Sequence, residues 1–189
     1  MWKGAIGRRI AALTVLFAAA GAPLAAQDTA YVFEWQGSGG YSMKGALSFD
    51  AELAAEGIVT ARDVQCFVVE GFRDGALIGR WALGMLNEET TWILTFRPDV
   101  PDFPVYGPGQ PMPQAWNMDG FGTDCGDGGF GFNIGNAAQD LCLDGKLLND
   151  SRVFPSRPMP ATPAPDSYRF PGDACTGPVL MGALEPRYR

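Results

Sequence analysis

From residue 31 to residue 96 apolar and polar side chains alternate with a period of two, a pattern that only an extended strand turns into one buried face. Tyr31, Phe33 and Trp35 share a face opposite Glu34 and Gln36, and a glycine-rich turn follows at 37–40. Tyr41, Met43, Gly45, Leu47 and Phe49 then alternate with Ser42, Lys44, Ala46, Ser48 and Asp50. The Ala- and Glu-rich stretch 50–57 suits one short helical turn, and Thr60 to Asp63 reads as a small capped turn. Residues 64–72 are apolar on both faces, which predicts an interior strand. Asp74-Gly75 fits the two positive-φ positions of a type I′ hairpin. Leu77, Gly79, Trp81, Leu83 and Met85 are then expected on one face of the return strand, with Trp92, Leu94 and Phe96 beyond a turn at 87–89. The stretch 64–97 is expected to form a three-stranded meander.

Proline changes the texture after Arg97. Six prolines fall within 98–113 and seven within 155–178, too many for ladders that need N–H donors. The first stretch is expected to be a long surface loop. The second is expected to be an extended segment of polyproline character. Between them 115–121, 129–134 and 140–143 read as short strands. The fold expected is all-β: a single-domain antiparallel β-sandwich over residues 27–154 with Pro-rich loops, or alternatively a flattened β-barrel. Residues 155–189 would form a Pro-rich C-terminal segment stapled to it. An eight-stranded outer-membrane barrel would suit the length, but the Pro-rich stretches interrupt the lipid-facing strands that fold requires.

Residues 1–26 read as a secretory signal: Lys3, Arg8 and Arg9 precede an apolar run at 10–20 and a small-residue exit ending Ala25-Ala26. The apolar run is too short to span a bilayer, which takes about 20 residues. Cleavage there leaves a 163-residue chain of the 189 and removes three of 14 cations and none of 21 anions, taking the net charge from −7 to −10. Gln27, not Cys, then opens the chain, which predicts no lipid anchor, and the charged residues of 179–189 predict no membrane tail. A periplasmic or secreted location is expected. The acidic balance provides no footprint for nucleic acid and no basic helix for an anionic membrane. With no His at all, imidazole-based triads and the usual zinc sites are excluded. Four cysteines in an oxidising compartment imply two disulfides. Cys125 and Cys142 flank one Gly-rich loop and are expected to pair, leaving Cys66 for Cys175.

Three features carry candidate chemistry. Residues 119–127 and 128–136 both fit x-G-x-G-x-[DN], which resembles the calcium-binding nonapeptide of RTX repeats. A Ca²⁺ site there would use Asp119, Asp124, Asp127 or Asn133, oxygen donors suited to a hard cation. The pattern departs from RTX in having two units only, Asn133 for Asp, and Gly126 and Gly135 where an apolar residue belongs. A disulfide-closed hairpin loop is the competing reading. Among the aromatics, Trp35, Trp81 and Trp92 fall on apolar faces and are expected in the core. Trp116 and Tyr106, in or beside the Pro-rich loop, are the candidate ligand platform. Carboxylate pairs Glu88-Glu89 and Asp50/Glu52 lie in predicted turns, and Lys44 shares a polar face with Ser42 and Ser48, a weak Ser–Lys pattern.

The signal sequence followed by Gly45-x-Leu47-x-Phe49-Asp50 and Thr91-Trp92-x-Leu94-x-Phe96 resembles small exported bacterial β-proteins of the PEP-CTERM-associated kind. The sorting tail of that group is absent, so the resemblance implies export and a β fold, without a shared activity. The expected function is an exported non-enzymatic β-domain that binds a ligand or partner of the cell envelope, a polysaccharide or a protein. The alternatives are an envelope carbohydrate-active enzyme using a carboxylate pair, and a structural or adhesive protein whose Gly-rich loop takes Ca²⁺. No other cofactor is expected.

Overall fold

The computed structural model describes residues 28–120 and 122–175. The stretch 1–26, expected from the sequence to be a secretory signal, and the residues after Cys175 lie outside that range. The described chain is an all-β sandwich of antiparallel strands: β1 (Asp28–Gln36), β2 (Tyr41–Asp50), β3 (Val59–Thr60), β4 (Val64–Arg73), β5 (Ala76–Ala82), β6 (Thr91–Ile93), β7 (Thr95–Phe96), β8 (Asp102–Phe103), β9 (Gln114–Asn117), β10 (Phe130–Ile134), β11 (Gln139–Leu143), β12 (Lys146–Leu147) and β13 (Met159–Pro163). One sheet has the order β5-β4-β2-β1-β13-β8, the second β12-β11-β10-β9-β6, and β3 pairs with β7 as a small flap.

The inner faces meet through aromatic rings. Trp35 packs edge-on to Phe132 at 5.2 Å, Phe33 to Trp116 at 5.8 Å and Phe67 to Trp116 at 4.9 Å. Gly71 and Gly79 stand opposite each other on β4 and β5. A Cβ on either would collide with the Phe130 ring of the facing sheet, so the two glycines form a notch that this ring fills.

Local chemistry places the turns where the alternation breaks. Asp50 caps the 3₁₀ turn Ala51–Glu56, accepting from the Glu52 amide, and Gly57 ends it at φ 80°. Asp63 accepts from both the amide and the hydroxyl of Thr60 at 2.8 and 2.7 Å, which holds its carboxyl below the usual range. Asp74 and Gly75 take φ 50° and 80°, the expected type I′ turn.

Four expectations are corrected. The meander ends after two strands: β5 gives way to a 3₁₀ turn at Leu83–Met85, and β6 crosses to pair with β9 in the second sheet. Leu77 does not share a face with Trp81. The register passes from Phe72↔Leu77 to Gly71↔Gly79, so Ile78 is a bulge residue and Leu77, 58% exposed, turns outward. Part of the Pro-rich C-terminal stretch is a true strand, because β13 lies between β1 and β8. Its prolines are tolerated because Pro160 and Pro163 sit where no partner is lost: the donors used are Ala161 N–H to Pro101 and Ala164 N–H to Ala30. The long loop before β9 likewise buries Phe103 at 1% exposure instead of lying wholly on the surface.

Candidate functional site

The outer face of the six-stranded sheet carries two adjacent rows fixed by register. Glu34 stands opposite Lys44, Lys44 opposite Glu70 and Glu70 opposite Arg80, an alternating-charge row across β1, β2, β4 and β5. Lys44 Nζ lies 3.2 Å from Glu34 and Arg80 Nε 3.8 Å from Glu70. One step along, Val32, Ala46, Val68 and Ala82 form an apolar row in the same register. The Ile78 bulge brings Glu70 opposite Arg80; without it Arg80 would fall opposite Val69, on the core side.

Residues 164–175 cross this face as a strap. Its start is held where Ala164 N–H donates to Ala30, and its end where Cys175 is bonded to Cys66. Near that end the Phe67 amide donates to Ala174 and the Gly84 amide to Asp173, each at 2.7 Å. Arg80 grips the Asp173 carboxylate with both terminal nitrogens, each at 2.7 Å. These hydrogen bonds hold the Asp173 carboxyl below its ordinary value and raise the Arg80 guanidinium. Ala174 is fully buried against Ala46, Val68 and Ala82, while Tyr168 and Phe170, edge to face at 5.0 Å, cover the flank near Val32. Burial, with a smaller contribution from Glu70, raises the Tyr168 phenol.

Between strap and sheet a groove of about 650 Å³ remains open, lined by Glu34, Lys44 and Glu70 on the floor and by Tyr168, Arg169 and Pro171 on the strap. Glu34 and Glu70 are already opposed by cations, and Arg169 donates to the Asp166 and Tyr168 carbonyls. The arrangement sets polar groups against an apolar wall, and its ionisable lining groups are Glu34, Lys44, Glu70, Tyr168 and Arg169.

The residues singled out from the sequence go to different places. Both disulfides form as paired, Cys125–Cys142 and Cys66–Cys175. Trp116 is not a platform. It is fully buried in the inter-sheet core, because β9 pairs it with Phe132 and Trp92 and the rings of Phe33, Phe67 and Phe103 enclose it. Tyr106 is 38% exposed, and its amide donates to the Pro155 carbonyl at 3.2 Å. The candidate calcium donors are committed separately. Asp119 accepts from Asn87, Asp124 from the Gly126 amide at 2.9 Å, and Asn133 is buried against Asn117 at 2.8 Å. Asp127 is exposed. Among the described residues the one cluster of three ligand-type groups within 4.8 Å is Asp124 with Cys125 and Cys142, whose sulfurs are spent on their disulfide. Glu88 and Glu89 lie exposed in a turn organised by Asn87, which accepts from the amides of Glu89 and Thr90. Lys44 pairs with Glu34 rather than with Ser42 or Ser48.

No protein-family model matches the chain, and neither the curated proteins nor the solved structures include a match.

Proposed function

We propose that this chain is an exported, non-catalytic β-domain that binds a ligand or partner of the cell envelope, a polysaccharide or a protein, in the groove beneath the strap. The groove itself carries the reading. Its volume lies within the roughly 300–1,000 Å³ of ligand pockets. It crosses β13, β1, β2 and β4, about 14 Å at the inter-strand spacing, which suits a short stretch of an extended oligomer. A periplasmic or secreted location is supported by two disulfides with no free cysteine and agrees with the signal-like leader. Among the described residues no helix is long and apolar enough to cross a membrane.

The test is calorimetric titration of the oxidised chain with panels of oligosaccharides and purified envelope proteins, repeated on Tyr168→Ala and Glu70→Gln. A ligand whose affinity falls about tenfold in both variants supports the groove; binding indifferent to both overturns it. One observation favours a second reading, a carbohydrate-active enzyme. Glu34 and Glu70 share the groove two strands apart, about 9.5 Å between backbone positions, and a carboxylate pair in a cleft is what a glycosidase requires. Cleavage of a bound glycan that is lost in Glu34→Gln and in Glu70→Gln would establish that reading.

A further inference from the structure

At the end of the sandwich, away from the groove, Phe154 is 83% exposed, the most exposed large apolar side chain among the described residues. It rims a shallow depression of about 690 Å³ whose lining includes Ala137, Ala138, Val153, Arg152 and Arg157. The lining holds two cations and no carboxylate, on a chain whose overall charge is −7. Both guanidiniums keep free donors. Arg157 uses Nη1 on the Gln36 carbonyl at 2.8 Å, and Arg152 turns Nε toward Asp140 at 3.3 Å, against five N–H groups on each.

The ring is presented on a fixed loop. Gln139 is fully buried directly beneath it. Its amide nitrogen donates to the carbonyls of Pro155 at 3.3 Å and Arg157 at 2.6 Å, while its oxygen accepts from Trp35 Nε1 at 2.8 Å. Its backbone exchanges both hydrogen bonds with Val153. A loop backbone held in this way costs little ordering when something docks on the ring it carries. The Tyr106 amide adds a further bond to the Pro155 carbonyl from the neighbouring loop.

We propose that this depression is a docking site for a carboxylate-bearing polysaccharide, a polyuronate. A pyranose carrying a ring carboxylate offers both complementary chemistries in one residue: a C–H face to lie on Phe154 and an in-plane carboxylate for a guanidinium fork. The size argues against a folded protein partner. Nine residues line the depression, whereas a stable protein interface takes roughly 20–30 residues a side.

The experiment titrates the oxidised chain with tetragalacturonate, with its carboxyl-reduced neutral counterpart and with a short poly-glutamate peptide, at low and high salt. Tetragalacturonate is expected to bind, more tightly at low salt. Phe154→Ala and Arg157→Gln should each weaken it roughly tenfold. Phe154→Tyr should restore binding, and Gly172→Ala, which meets nothing within 4 Å and lines neither cavity, should leave it unchanged. Any of four results overturns the proposal: no binding at millimolar tetragalacturonate, equal binding of the neutral oligomer, preference for poly-glutamate, or indifference to Phe154→Ala. Loss of binding in Tyr168→Ala with none in Phe154→Ala would move the sugar to the groove.

Discussion

Asp140 shows how a single carboxylate is set against its surroundings. It is buried on β11, and burial raises its carboxyl above the ordinary 3.8, although Arg152 and Asn133 favour the charged form. Across the window from 3.8 up to its native value the folded state holds more protons than the unfolded chain, so stability falls as pH rises through that window. Asp140→Asn lacks this slope. Urea melts from acid to neutral pH should show the wild type losing ground to the variant as pH rises; parallel curves would refute the assignment. The Gly71–Gly79 notch is as specific. Gly71→Ala forces the Phe130 ring to move and is expected to cost about 1–3 kcal/mol. Gly172→Ala meets nothing within 4 Å and should stay within about 0.5 kcal/mol. Equal effects at the two sites would remove the notch from the account.

Among the elements, the strap has the most to lose. Its closure joins residues 109 apart in sequence, and removing a native disulfide from a small domain typically costs about 2–5 kcal/mol. The double variant Cys66→Ser/Cys175→Ser should lose stability of that order and expose Tyr168 to quenchers, read by fluorescence. Asp173 gives the strap a pH dependence of the opposite sign to Asp140. Its lowered carboxyl contributes stability that is present above 3.8 and lost as pH falls below it. The stability difference between wild type and Asp173→Asn should therefore be constant near neutrality and shrink on acidification.

The hairpins and the alternating strands β1, β2 and β4 were legible because each local choice agrees with burial on one face. Asp74-Gly75 announces its turn, and Asp144-Gly145, with φ 51° and 68° between β11 and β12, carries the same dipeptide signal. The charge row was not legible, since it depends on a one-residue bulge at Ile78 that nothing in the local pattern marks. Trp116 was misplaced for a related reason. A strand over 115–121 is legible, but its place beside the prolines suggests exposure, and four residues of β9, all buried, are too few for periodicity to declare a face.

For the molecule as a whole, the two sheets meet over rings, and polar chemistry is pushed to the outer face and the ends. The Gly-rich segment between β9 and β10 belongs to that scheme as a covalently closed turn. Its Asp119 and Asp124, like Asn133 on β10, each already serve a neighbouring group, so thermal melts in millimolar Ca²⁺ and in EDTA should coincide. A bound ion at 100 times its Kd would instead raise the midpoint by roughly 5–10 °C.

The two disulfides are nested: the bridge between residues 125 and 142 lies inside the ring closed between 66 and 175. A chain made from its N-terminus completes the inner ring while Cys66 still waits, its thiol beside β2 with no partner yet made. Any copy broken off before residue 175 keeps that thiol reduced and leaves Val32, Ala46 and Val68 bare. The strap bridge is therefore the last that synthesis makes possible, and it is the one that brings Ala174 down onto the apolar row.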